Sequence, residues 1–146
     1  MKRIFYKLVN PIRKLYWFVF RPKTAGVKVL VEYDERILMI KNAYGKSIWT
    51  FPGGAVKKNE LPENAAKREV AEEVGLKLHE LISIGQIQST REHKKDTIYC
   101  YSASSTNEKV EIDPSEIQTF NWFNKNELPS EISSIAQEII SLYLKK

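Results

Sequence analysis

The stretch Gly54–Leu76, GAVKKNELPENAAKREVAEEVGL, decides the reading of this chain. Between Glu60 and Glu73 it sets five glutamates (Glu60, Glu63, Glu69, Glu72 and Glu73) against Lys67 and Arg68, in a protein whose 23 Lys and Arg outnumber its 18 Asp and Glu. Pro62 suits a first helical position, Ala65, Ala66, Val70 and Ala71 sustain a helix, and Gly75 supplies a left-handed stop, so the pattern predicts a helix over residues 62–74. Around its axis Glu73 and Glu72 lie about 40° and about 60° from Glu69, and the three carboxylates point one way. Ala66, Val70 and Val74 form a separate apolar side suited to packing on a sheet.

Like charges so placed repel one another, more so where water is excluded. Arg68, four residues before Glu72, offers one cation and cannot serve all three. A hard divalent ion satisfies them: Mg²⁺, with Mn²⁺ as a substitute, prefers oxygen ligands and leaves its remaining positions to water or substrate phosphates. The stretch therefore points to phosphate chemistry.

At these residues the chain resembles the Nudix (MutT-like) hydrolases, whose signature is G-x5-E-x7-R-E-U-x-E-E-x-G-U with U a bulky aliphatic. Gly54, Glu60, Arg68-Glu69-Val70, Glu72-Glu73 and Gly75-Leu76 meet every fixed position, and Trp49-Thr50-Phe51-Pro52-Gly53 looks like the family's approach to the box. An ordinary solvated Glu-rich helix accounts for the charge. It does not account for the Gly-Gly entry, the Arg68-Glu69 pair and the Gly75 stop together.

The resemblance covers roughly residues 24–144. It implies an α/β fold, the Nudix-type α/β/α sandwich around a mixed sheet, spanning 24–146; outside the resemblance, residues 1–23 read as a basic, aromatic helical extension. It also implies metal-dependent hydrolysis of a phosphoanhydride in a nucleoside diphosphate linked to a further group. Carried onto matching positions, it makes Glu69, Glu72 and Glu73 the metal ligands, with a backbone carbonyl from Gly53 or Gly54. Glu69 or Glu116 is then the base that deprotonates water, Arg68 orients a box glutamate, and Glu60 supports the loop. Glu116, upstream of the strand-like Ile117–Phe123, resembles the acid that in this family completes the metal site. Trp49, Phe51 and Tyr44 are candidates for stacking on a base, and Arg91, Lys94 and Lys95 for meeting phosphates.

Thr90–Lys95 lacks the downstream proline and tyrosine that mark some branches of the family. Nucleoside triphosphates, modified nucleotides and nucleotide sugars stay open, with triphosphates favoured by the compact chain. Two alternatives are a nucleotide sensor without hydrolysis and an enzyme acting on RNA 5′ ends, although nucleic acid is not the expected partner.

The 146 residues fit one domain with a real core, 42% of them being hydrophobic. Cys100 is the single cysteine, which excludes an intrachain disulfide and fits a buried, inert thiol in a cytoplasmic protein. The net charge of +5 suits an anionic substrate, nucleic acid or an acidic membrane surface alike. Residues 1–22 interleave Lys2, Arg3, Lys7, Arg13 and Lys14 with aromatic and aliphatic side chains, and no run is long enough for a signal peptide or a membrane span. Apolar positions 5, 8, 12, 15, 16 and 19 predict a helix bent at Pro11, packed on the domain or on a second subunit of a homodimer. Contact with anionic lipid is the functional alternative.

Strands are expected at Gly26–Val31, Arg36–Lys41, Trp49–Phe51, Leu81–Gln88 and Thr97–Ala103, with a charged hairpin loop over Ser89–Asp96. A last helix from Glu131 to about Leu144, capped by Ser130, presents Ile132, Ile135, Ala136, Ile139 and Ile140 for packing. His79 and His93 read as structural or surface residues.

Overall fold

The structure is a computed structural model that describes residues 23–89 and 95–146. The predicted amino-terminal helix, Arg91, His93 and Lys94 lie outside the described residues. Among the described residues six strands and two helices follow in the order β1 (Lys23–Tyr33), β2 (Arg36–Asn42), β3 (Gly53–Ala55), α1 (Pro62–Val74), β4 (Ile82–Ser89), β5 (Lys95–Ser104), β6 (Ile117–Asn124) and α2 (Ser134–Leu144). They form one mixed sheet in the order β4-β5-β1-β2-β6, with β3 also paired to β1. β1 runs parallel to β5, from Lys23↔Lys95 to Glu32↔Ser104, and antiparallel to β2 and β3.

Alternation along the strands divides the core into two layers, because successive side chains point to opposite faces. Val27, Val29 and Val31 of β1, with Leu38 and Ile40 of β2, pack against Ala65, Ala66, Val70 and Val74 of α1. Leu30, Ile37, Met39, Phe51 and Cys100 face the other way, against Ala136 and Ile139 of α2. The sheet is thus sandwiched between two helices and buried on both sides. Burial pushes the Cys100 thiol up to about 11.

The helix over 62–74 forms as the pattern predicts. Pro62 stands at its start and Gly75, at φ 71°, closes it with its N–H on the Ala71 carbonyl. Two other boundaries differ. Trp49-Thr50 makes only isolated bridges, Ile40↔Thr50 and Trp49↔Ile132, while the strand lies at Gly53–Ala55, where β1 supplies a partner along Gly26–Lys28. The last helix starts later than expected, because Trp49 exchanges hydrogen bonds with Glu131 and Ser133 and draws that segment alongside itself. Its cap is Ser133, whose hydroxyl accepts from the Ala136 N–H at 3.1 Å, and not Ser130.

Candidate active site

β3 and the first turns of the loop after it lie beside α1, and a cleft of about 410 Å³ opens there. Gly53, Gly54 and Ala55 form one wall, Glu69, Glu72 and Glu73 a second, and Tyr44, Asp113 and Glu116 a third. β2 and β6 deliver the third wall, since the Ala43 N–H donates to the Glu116 carbonyl just before β6 pairs with β2.

Small residues are required where the helix meets β3. A Cβ on Gly54 would stand 2.4 Å from the Glu69 carboxyl carbon, and one on Gly53 would stand 2.0 Å from the Val27 carbonyl oxygen. The Gly53 N–H donates to Glu73 Oε1 at 2.8 Å, so the glycine pair holds one carboxylate and makes room for another.

Arg68 organises the helix face. Its Nε and one terminal nitrogen grip both oxygens of Glu60 at 2.9 Å, the same terminal nitrogen donates to the Ala55 carbonyl, and the other reaches Glu69 at 2.9 Å and Glu72 at 3.4 Å. The fork-to-carboxylate pairing with Glu60 is a strong, geometry-specific bond. It holds the Glu60 carboxyl down at about 2, helped by the Lys57 N–H. Glu60 therefore ties loop to helix, while Arg68 orients Glu69.

The three box carboxylates are graded in depth and do not share one exposure. Glu73 is 7% exposed, the Glu69 side chain 16% and the Glu72 side chain 57%. Burial pushes Glu73 up to about 7, against the pull of Lys28 and the Gly53 N–H, and Glu69 and Glu116 push it the same way as burial. Burial likewise raises Glu69, opposed by Arg68 and reinforced by Glu72 and Glu116. Tyr44 donates its hydroxyl to Glu116 Oε2 at 3.2 Å.

Two expected base-stacking residues are elsewhere. Phe51 is fully buried among the residues facing α2, and Trp49 packs edge-on against Phe123 at 4.9 Å with Lys41 over its ring. Neither lines the cleft; Tyr44 does. Asp113 was not singled out in the sequence. It accepts from the Ser115 N–H and hydroxyl, at 2.9 and 2.6 Å, and its own N–H donates to the Glu73 carbonyl. The Asp113-Pro114-Ser115 turn three residues before Glu116 is the local signal that marks it.

The NUDIX domain model matches residues 21–143. The chain belongs to the Nudix family. It is 30% identical over 122 residues to an RNA pyrophosphohydrolase of Saccharophagus degradans, a match covering 70% of this chain and 71% of that protein. Over 67 residues it is 36% identical to an 8-oxo-dGTP diphosphatase of Buchnera aphidicola, covering 46% of this chain and 54% of the relative. The solved MutT NUDIX hydrolase of Burkholderia pseudomallei superposes with a TM-score of 0.75 at 22% identity, covering 82% of this chain and 97% of that one, which shows the shared fold. Family and relatives make this Nudix chain a pyrophosphohydrolase.

Among the described residues no three acidic, His or Cys side chains stand gathered as a finished metal cage. The donor set nonetheless fits a hard cation. Every side-chain donor on the α1 wall is a carboxylate, and burial together with mutual repulsion disfavours the anionic form of two of them, the condition that a divalent ion relieves. Glu69, Glu72, Glu73 and Glu116 would hold it, with Arg68 and the Gly53 N–H fixing their orientation.

Proposed function

We infer that the cleft hydrolyses a phosphoanhydride in a nucleoside diphosphate linked to a further group, with a nucleoside triphosphate or modified nucleotide as substrate, and that the reaction depends on Mg²⁺ or Mn²⁺. The observation carrying this reading is the cleft in which Glu69, Glu72, Glu73 and Glu116 gather beside Gly53, whose N–H holds the buried Glu73 at 2.8 Å. When bound, the ion lowers the pKa of water and offsets charge on the phosphoryl oxygens. The chain's own residues set the geometry: Arg68 holds Glu69 against Gly54, the Gly53 N–H holds Glu73, and Tyr44 with the Asp113 turn aims Glu116. Glu69 or Glu116 is the acceptor for the proton of the attacking water. The backbone carbonyl of Gly53 is the proposed additional ligand.

Turnover of a nucleotide library with and without Mg²⁺, reading released phosphate or pyrophosphate, tests this. Wild-type protein should turn over at least one nucleotide only with the metal, and Glu73→Gln should lose about 10²-fold or more, the scale of a removed electrostatic catalytic group. Glu73→Gln at the wild-type rate refutes the assignment. A second reading, an RNA 5′-end pyrophosphohydrolase, is favoured by the name of the Saccharophagus degradans relative. Preference for triphosphorylated RNA over free nucleotides in the same assay selects it. Metal-independent nucleotide binding without turnover would instead identify a sensor.

A further inference from the structure

The basic character of this protein is confined to one segment. Residues 1–22 hold Lys2, Arg3, Lys7, Arg13, Lys14 and Arg21 and no acid, which leaves seventeen Lys and Arg against eighteen Asp and Glu in residues 23–146. The Nudix domain proper thus carries a net charge of −1, and the segment before it +6. Thirteen of those 22 residues are apolar, six of them aromatic. The longest apolar run, Leu15–Phe20, reads LYWFVF and is bounded by Arg13-Lys14 on one side and Arg21 on the other.

We propose that residues 1–22 dock the enzyme on an anionic phospholipid surface. Three features carry this. Six cations with no acid in the same segment, beside a body of net charge near zero, exceed what packing on that domain calls for. A six-residue apolar run is far too short to cross a bilayer, which needs about 20 residues, while Trp, Tyr and Phe flanked by Lys and Arg match the chemistry of the headgroup boundary. Aliphatic side chains such as Ile4, Leu8, Ile12 and Val19 gain by insertion among acyl chains and have no part in stacking on bases, which favours lipid over RNA.

The fold adds the place of attachment. β1 starts at Lys23, and three residues on Gly26 pairs with Ala55, a wall residue of the catalytic cleft whose carbonyl is held by Arg68. The segment therefore joins the domain at the cleft end of the sheet, so a docked enzyme would work close to the lipid surface. Neither the charge partition nor the attachment depends on which phosphoanhydride the cleft hydrolyses.

Flotation of the full chain with phosphatidylcholine vesicles, with and without phosphatidylglycerol, tests the proposal. Expected is association with the anionic vesicles alone, weakened by high salt because surface charges are screened. The triple variant Lys7→Gln/Arg13→Gln/Lys14→Gln should partition roughly 10²-fold less, since each basic residue near an anionic surface contributes about one kcal/mol. Trp17→Ala/Phe18→Ala should lose association while leaving the charge intact. Retained turnover of a soluble nucleotide shows that each variant is folded. Absence of flotation, or equal flotation with zwitterionic vesicles, overturns the proposal. So does RNA binding lost in the triple variant without vesicle retention, which reassigns the segment to nucleic acid, or a dimer lost in Trp17→Ala/Phe18→Ala without it, which reassigns it to a second copy.

Discussion

Two clefts open at opposite ends of β1, and they differ in how their charge is settled. The larger, about 770 Å³, lies where β1 and β5 end, lined in part by Glu32, Ser102, Ser104 and Tyr143. There Glu32 meets Lys125 at 2.9 Å, and the same ammonium lies 5.9 Å from the centre of the Tyr143 ring. The smaller, about 410 Å³, gathers five carboxylates, with Arg68 serving two of them at the cleft while also holding Glu60. Volume alone would select the other end. So much partly buried acid is costly unless something compensates it, and that charge, not the size of the opening, is what favours the smaller cleft as the proposed site.

The largest expected effect at the cleft end, beyond loss of a carboxylate itself, comes from Gly54→Ala. The added methyl would sit 2.4 Å from the Glu69 carboxyl carbon, so that side chain must leave its place against β3 and its bond to Arg68. The expected outcome is a loss of about 10²-fold in kcat/KM, comparable to removing an electrostatic group. Denaturant titration should show a fold nearly as stable as wild type. Wild-type activity in this variant would mean that Glu69 works from another position.

How much of this was legible beforehand follows from which forces act locally. The helix limits are written into Pro62 and Gly75, and the box residues into their spacing, so both emerge from one stretch of chain. The strand beside the box is not local. Gly53-Gly54-Ala55 has poor intrinsic strand preference and becomes β3 only because Gly26–Lys28 pairs with it. Trp49-Thr50-Phe51 reads as the better strand, yet the backbone of Trp49 bonds to Glu131 and Ser133. Phe51 beside a nucleotide-type motif suggested base stacking. Its backbone accepts the Lys28 ammonium at 3.0 Å while its ring faces α2, a consequence of strand parity that no local pattern reveals. Lys28 reaches Glu73 from β1, distant in sequence, and is visible only after folding, whereas Asp113, in the loop before β6, left a local trace in its turn.

The second prediction concerns pH and turns on the proton that the cleft holds when no ion is present. Burial raises Glu73 to about 7 in the folded chain, above the ordinary carboxylate value it regains on unfolding. Its contribution to stability is therefore complete below about pH 4.5 and disappears as pH rises through about 7. Chelator-treated protein should lose on the order of 3 kcal/mol of unfolding free energy between pH 4.5 and 8, measured by urea titration. Mg²⁺ should flatten that slope, because the ion takes over from the proton. Glu73→Gln should flatten it without metal. A slope that persists in Glu73→Gln would place the titrating group elsewhere.

The far end supplies the smallest effect and the control for the whole contrast. Lys125→Met removes the partner of Glu32 where both side chains are about a quarter exposed, 26% and 22%. Solvent screening at that exposure limits such a pair, and the expected loss is about 1 kcal/mol or less in unfolding free energy. Methionine keeps most of the packing stem against Tyr143. Turnover should not change, since the pair lies beyond the opposite end of β1 from Gly53 and Gly54. A fall in kcat of tenfold with little loss of stability would show that the two ends communicate, and the division between a neutralised end and a charged, working end would then be false.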